Sequence, residues 1–281
     1  HMPPEKRGMA AGIINAGGSF GQFVFAPITQ RLISGLGWMG AMWSIALITL
    51  AALPITRALR GRPATAAELA RSVAVNPADK GMRAALGGAL KDRSYLLLHA
   101  GFFTCGFHIA FLITHLPGEV QLCGQSAQVA SWSLAIIGLA NILGSLLAGW
   151  GTQRVRSKYI LFWMYGSRAA LILIYLASPK TALTFYLFAA GLGLTWLATV
   201  PPTAAIVGKL FGTRYLATLF GLTLLSHQIG AFLGAWLGGL AVVNLGDYAV
   251  MWYLDAGLAA LAALVNLPIR EARIAPRLGP A

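Results

Sequence analysis

Polar residues are scarce along this chain, and they are bunched. Apolar stretches of ~20 residues or more recur between short polar breaks, the length an α-helix needs to cross the hydrocarbon core of a bilayer. The pattern predicts eight membrane-spanning helices, over roughly residues 10–34, 38–57, 95–117, 127–150, 159–177, 181–208, 215–243 and 248–269. One long polar segment, Thr56 to Ser94, separates two of these helices from the other six. Within it AELARSV and GMRAALGGALKD are candidate short surface helices, and Pro63 and Pro77 interrupt the stretch. The expected fold class is therefore all-α, a polytopic transmembrane bundle of eight helices. Its expected parts are residues 1–57, a cytoplasmic linker at 58–94, a six-helix unit at 95–270 and a tail at 271–281.

Composition sharpens the picture. Of the 281 residues 57% are hydrophobic and only 10% charged, where a soluble domain has about 25% charged. Lipid is the expected solvent and partner. The net charge of +13 would suit a nucleic acid, but the placement of the charges excludes it. If the helices alternate across the membrane, all but three of the 21 Lys and Arg residues fall in segments on one side. Arg31 and Lys180 lie on the other side, and Arg168 lies inside a helix. This is the positive-inside pattern that orients membrane proteins. It predicts a multi-pass protein of the cell membrane with both ends cytoplasmic. Cys105 and Cys123 share one helix and offer neither a disulfide framework nor metal-ligand spacing. No metal or cofactor is expected, and the polar, proline-containing first nine residues do not read as a cleavable signal.

The first two helices echo the last two. At a constant offset of 209 residues Gly12 matches Gly221, Gly21 matches Gly230, Leu36 matches Leu245, and Gly37 matches Gly246. Trp43 with Trp252 and Ala51 with Ala260 follow the same offset. Internal repeats of membrane bundles are a recurring mark of secondary transporters. If helices one and two repeat seven and eight, the first bundle holds six, and four further helices are expected upstream of this chain.

A 6+6 arrangement joined by a long basic loop resembles the major facilitator superfamily. The opening stretch adds detail: Lys6-Arg7, Met9-Ala10, Gly12, Ala16-Gly17 and Gly21 stand at the spacing that the monocarboxylate porter branch carries into its fifth helix. Pro3-Pro4 replaces the aromatic residues expected before the basic pair, and Ile14 replaces a small residue. GWGTQRVRSKY, Gly149 to Tyr159, resembles a degenerate form of the superfamily's basic interhelical loop. The resemblance covers the chain as helices five to twelve. It implies a transporter working by alternating access, with proton-coupled small carboxylates as the first substrate class to consider. Family porters carry an Asp and an Arg on the eighth helix, the Arg pairing with the substrate carboxylate; the positions that fit best here hold Asn141 and Ser145.

Gly17-Gly18-Ser19-Phe20-Gly21 formally matches G-x-S-x-G, a turn that presents a nucleophilic serine in hydrolases. No strand precedes it, and Gly17 and Gly21 form a GxxxG pair that allows close helix approach. Ser19 reads as a packing residue; an intramembrane serine hydrolase with His227 as a distant base is the alternative, and a non-transporting membrane scaffold is a second.

Ionisable and amide side chains inside spans mark functional candidates. His108 and His115 are seven apart and share a face with Thr104, while His99 points the other way; His108 is the candidate proton acceptor or anion donor. Gly138, Asn141, Ser145 and Gly149 line one face of the next helix. Thr223, His227, Gly230, Gly234 and Gly238 do the same later, with Gln228 beside them. Such small-residue stripes are commonly helix contacts. Pro201-Pro202 predicts a kink in the 181–208 helix. Arg168 needs a counter-charge, and equal depth below the outer surface predicts an ion pair with Asp255. With no nucleotide-binding motif, the expected function is secondary transport of a small organic solute, with protons as candidate coupling ions, and not an enzyme.

Overall fold

The computed structural model describes residues 7–54, 81–212 and 214–271. They form an all-helical bundle: α1 (Arg7–Leu50), α2 (Gly81–Ala89), α3 (Arg93–Leu122), α4 (Ala127–Gly151), α5 (Ser157–Ala177), α6 (Ala182–Gly193), α7 (Val200–Phe211), α8 (Leu216–Leu245) and α9 (Ala249–Asn266). Six of these are long and apolar enough to cross a membrane. The first of the six, α1, runs 44 residues over the two expected spans and is two helices joined across a kink. Gly37 divides α1, with φ 68° and ψ 173°, a conformation essentially closed to other residues. The expected single span at 181–208 is two helices, α6 and α7. GMRAALGGALKD contributes α2, while AELARSV and the tail beyond residue 271 lie outside the described residues.

Local chemistry sets the ends. Asp92 caps α3, its carboxylate accepting from the Tyr95 N–H at 3.0 Å. Thr181 caps α6, accepting from the Thr184 N–H at 3.3 Å. Gly246 ends α8 in the left-handed conformation, φ 80°. The repeat offset puts Gly37 and Gly246 on each other, and both take positive φ at a helix break.

Packing follows the glycine stripes. A Cβ on Gly230 or Gly234 of α8 would strike the main chain of Phe103 or Phe107 on α3, and one on Gly238 would strike the His115 ring. In return, a Cβ on Gly106 of α3 would strike His227. On α1, a Cβ at Gly12 would sit 2.6 Å from the Ser145 carbonyl oxygen; on α4, one at Gly138 would sit 2.8 Å from the Ser19 oxygen and the Phe23 nitrogen. Small residues thus bring backbones together where lipid supplies no hydrophobic drive between helices. The stripes on α4 and α8 are helix contacts, whereas the expected GxxxG pair Gly17–Gly21 has open space where each Cβ would go. Large apolar side chains such as Trp163, Leu187, Phe232 and Val243 point outward, as lipid allows.

Candidate functional site

The chain between α6 and α7 is the centre of the arrangement. Each half-helix has 12 residues, about 18 Å at 1.5 Å per residue, so the break at 194–199 falls near mid-membrane. Proline is the local cause. Pro201 and Pro202 have no N–H, so neither can bond the carbonyl four residues back, at Leu197 and Ala198. The prolines therefore open the second half-helix rather than bend a continuous one. Unpaired backbone groups at this depth are tolerated only where protein satisfies them, and three side chains do so. Asn15 of α1 donates to the Leu197 carbonyl at 2.9 Å, beside the Val200 N–H at 3.0 Å, where Pro201 supplies no donor. Asn141 of α4 accepts from the Leu197 N–H at 2.9 Å. Arg168 of α5 donates through Nη2 to the carbonyls of Thr195 and Trp196, at 2.7 and 3.1 Å.

The same amides fasten α1 to α4. Asn15 Nδ2 donates to Ser145 Oγ at 2.7 Å, and Asn141 Nδ2 donates to Ser19 Oγ at 2.6 Å. Ser19 donates in turn to the Asn15 carbonyl at 3.0 Å. Further along, Gln22 donates to the Leu134 carbonyl at 3.0 Å and Ser131 to the Ala26 carbonyl at 3.3 Å. Asn141 and Ser145, fully buried, therefore serve a seam between helices and the break beside it. Ser19 is 1% exposed and spends its hydroxyl in this seam, with no basic side chain bonded to it. It is a packing residue, and the nucleophile reading has no geometric support.

The histidines do not converge. His108 Nδ1 meets Asp255 Oδ2 of α9 at 2.5 Å, both side chains fully buried. This corrects the expected Arg168–Asp255 ion pair: the carboxylate is bonded to imidazole, and the guanidinium is bonded to carbonyls. Arg168 remains a neighbour of the pair, on α5, which packs against α9. His115 Nε2 lies 2.7 Å from the Ala235 carbonyl oxygen, an interhelical bond to α8. Thr104 donates to its own helix, to Ala100 at 3.4 Å. His227 and Gln228 contact each other at 3.2 Å, and the His227 ring lies 5.0 Å from Phe102. His99 pairs with Ser226 at 2.6 Å. Cys105 and Cys123 are both free.

Sequence reasoning missed three residues. Asn15 was legible as an amide in an apolar run, in register with Ser19 and Gln22 at i, i+4 and i+7. Glu119 lay beyond the expected end of its helix. The helix runs on to Leu122 and includes Glu119, which is buried and accepts from the Tyr175 hydroxyl at 2.6 Å. Glu271 follows the last helix. It accepts from the N–H groups of Ser157 and Lys158, at 3.0 and 3.1 Å, and from the Lys209 ammonium. Burial alone would push its carboxyl up. Donation from Lys209, Lys158 and Ser157 outweighs that and holds it below the usual range.

The model of the Major Facilitator Superfamily matches residues 1–234 and 120–279. Monocarboxylate transporter 13 of Rattus norvegicus is 24% identical over 278 residues, covering 94% of this chain and 60% of that protein. The uncharacterized MFS-type transporter YcxA of Bacillus subtilis is 24% identical over 268 residues, 93% of this chain and 64% of its own length. Monocarboxylate transporter 12-B of Danio rerio is 23% identical over 277 residues, 89% and 58%. The chain thus spans about three fifths of the curated relatives it matches.

Proposed function

The chain belongs to the Major Facilitator Superfamily, and from that premise we propose that it forms the last eight helices of a secondary transporter for a small organic solute. The observation that carries the reading is the break at 194–199, its backbone held by side chains from α1, α4 and α5. Discontinuous helices near the midplane are where transporters of several folds place substrate and coupling-ion sites. A break tied to three other helices is one whose state depends on how those helices sit. Alternating access then moves the α1 side against the α3–α9 bundle, with four further helices completing the first bundle in the working unit. Both ends face the cytoplasm, and the protein resides in the cell membrane.

Carboxylates are the first solutes to test, because relatives are named for them, with protons as the coupling ion and His108 as the acceptor. Asn141 and Ser145 are committed to the seam, so a carboxylate is not met there by a cation. The test is uptake of labelled small monocarboxylates by the full-length transporter in liposomes, with and without an inward proton gradient. Accumulation that follows the gradient and collapses with a protonophore is the expected result. Equal uptake with and without the gradient refutes proton coupling, and no uptake of any carboxylate removes that substrate class.

A further inference from the structure

The second bundle holds a polar cluster that neither the seam nor helix packing uses. In the His108–Asp255 pair, imidazole Nε2 and carboxylate Oδ1 have no hydrogen-bond partner among the described residues. The imidazole lies edge-on to Trp196 with ring centroids 5.7 Å apart, and Trp196 belongs to the break. Arg168, fully buried, holds the carbonyls of Thr195 and Trp196, while its Nε and Nη1 stay unbonded. Trp196 is therefore held twice, by its ring against His108 and by its carbonyl on Arg168.

We propose that the His108–Asp255 pair is a proton-binding site that controls the break between α6 and α7 through Trp196 and Arg168. With Asp255 ionised, Nδ1–H donates to it and Nε2 keeps the lone pair, so Nε2 is the atom that takes the proton. Before protonation Arg168 and Asp255 sum to zero charge. Afterwards the cluster carries one excess positive charge in a dry interior, an expensive state. The imidazolium is held by Asp255, whereas the hydrogen bonds of Arg168 all go to the break's carbonyls. Repulsion between the two cations is thus relieved by loosening the break.

One further titratable imidazole, His227 of α8, neighbours Cys105 and Arg168, so His227→Gln is measured beside His108→Gln. Asp255 faces His108 from α9, and Arg168 approaches from α5 with Tyr165 beneath it at 5.5 Å. The α4 segment has no ionisable side chain, and α6 and α7 carry only Tyr186 and Lys209, the latter in the last turn of α7. Glycines of α8 back α3 here, with His227 lying against Gly106. On α3 itself Cys105, one turn away, is bonded to Thr199 at 3.2 Å.

This deepens the transport reading, but its test does not depend on it. Hydrogen exchange of the 194–199 amides is measured on the full-length transporter in lipid nanodiscs from about pH 8 to about pH 5, where histidine changes charge. After correction for intrinsic rates, the opening constant rises about tenfold toward acid, the change one linked proton gives across one pH unit. His108→Gln, and independently the isosteric Asp255→Asn, flatten the response, while His115→Gln and His227→Gln keep it. A pH-independent wild type, or an unchanged response in both His108→Gln and Asp255→Asn, overturns the proposal. Uptake by the full-length transporter separates the two ideas: gradient-independent uptake with pH-responsive exchange sinks proton coupling alone, and gradient-driven uptake with flat exchange sinks the switch alone.

Discussion

Asn15, Asn141 and Arg168 converge on the proline-opened break from three helices: Asn141 bonds the Leu197 N–H, Arg168 bonds the Thr195 and Trp196 carbonyls, and Asn15 adds a second donor to the Leu197 carbonyl. The guanidinium reaches two carbonyls from one nitrogen, which a shorter or neutral side chain does not reproduce. Arg168→Met should therefore destabilise by about 3–5 kcal/mol, because it strips those carbonyls and leaves the nearby Asp255 charge less compensated. The exchange Arg168→Asp with Asp255→Arg discriminates further. A direct ion pair would tolerate the swap, whereas here the carboxylate belongs to His108. Thermal unfolding in detergent should show no recovery in the double variant relative to Arg168→Met.

Among the elements, α1 depends on a single backbone position. Gly37 at φ 68°, ψ 173° divides it, while Gly35 lies inside the helix with open space where a Cβ would go. Gly37→Ala should cost about 1–3 kcal/mol, whereas Gly35→Ala should be neutral or slightly stabilising, as read by the midpoint of thermal unfolding. At the far end of the bundle Glu271 ties α5 to α7 by accepting from Ser157 and Lys158 N–H and from Lys209. Its carboxyl is held below its ordinary value of 4.5, so its contribution is complete above that pH and is lost as pH falls through the lowered folded value. Glu271→Gln should lower stability by about 1–2 kcal/mol at neutral pH. It should also remove this acid-dependent loss, so wild type and variant converge in acid melts; a constant gap down to low pH counts against the latch.

Across the whole molecule, the orientation proposed from the charge asymmetry is one that labelling can check. In a cysteine-free background, Ser178→Cys should react with a membrane-impermeant maleimide from outside intact cells, and Gln153→Cys only after permeabilisation. The opposite pattern would falsify the assignment of both ends to the cytoplasm. The sequence by itself determined the all-helical membrane class, the repeat that pairs Gly37 with Gly246, and the family. These depend on the length of apolar runs, on the sparse breaks between them and on the placement of lysine and arginine, all local in the chain. It also marked His108, Asn141, Ser145, Arg168 and Asp255 as polar groups in need of partners, because a polar group in lipid is costly wherever it points, but it passed over Asn15 and Glu119. Tertiary structure alone decided what each one touches. Equal depth suggested Arg168 with Asp255, but depth leaves rotation about the helix axis free. Rotation is set by glycine stripes packing on distant helices, and it turned Asp255 toward His108 and Arg168 toward the break. Pro201 and Pro202 announced a disturbed helix, yet whether it kinked or parted depended on donors from residues as far away as Asn15, which no local pattern contains.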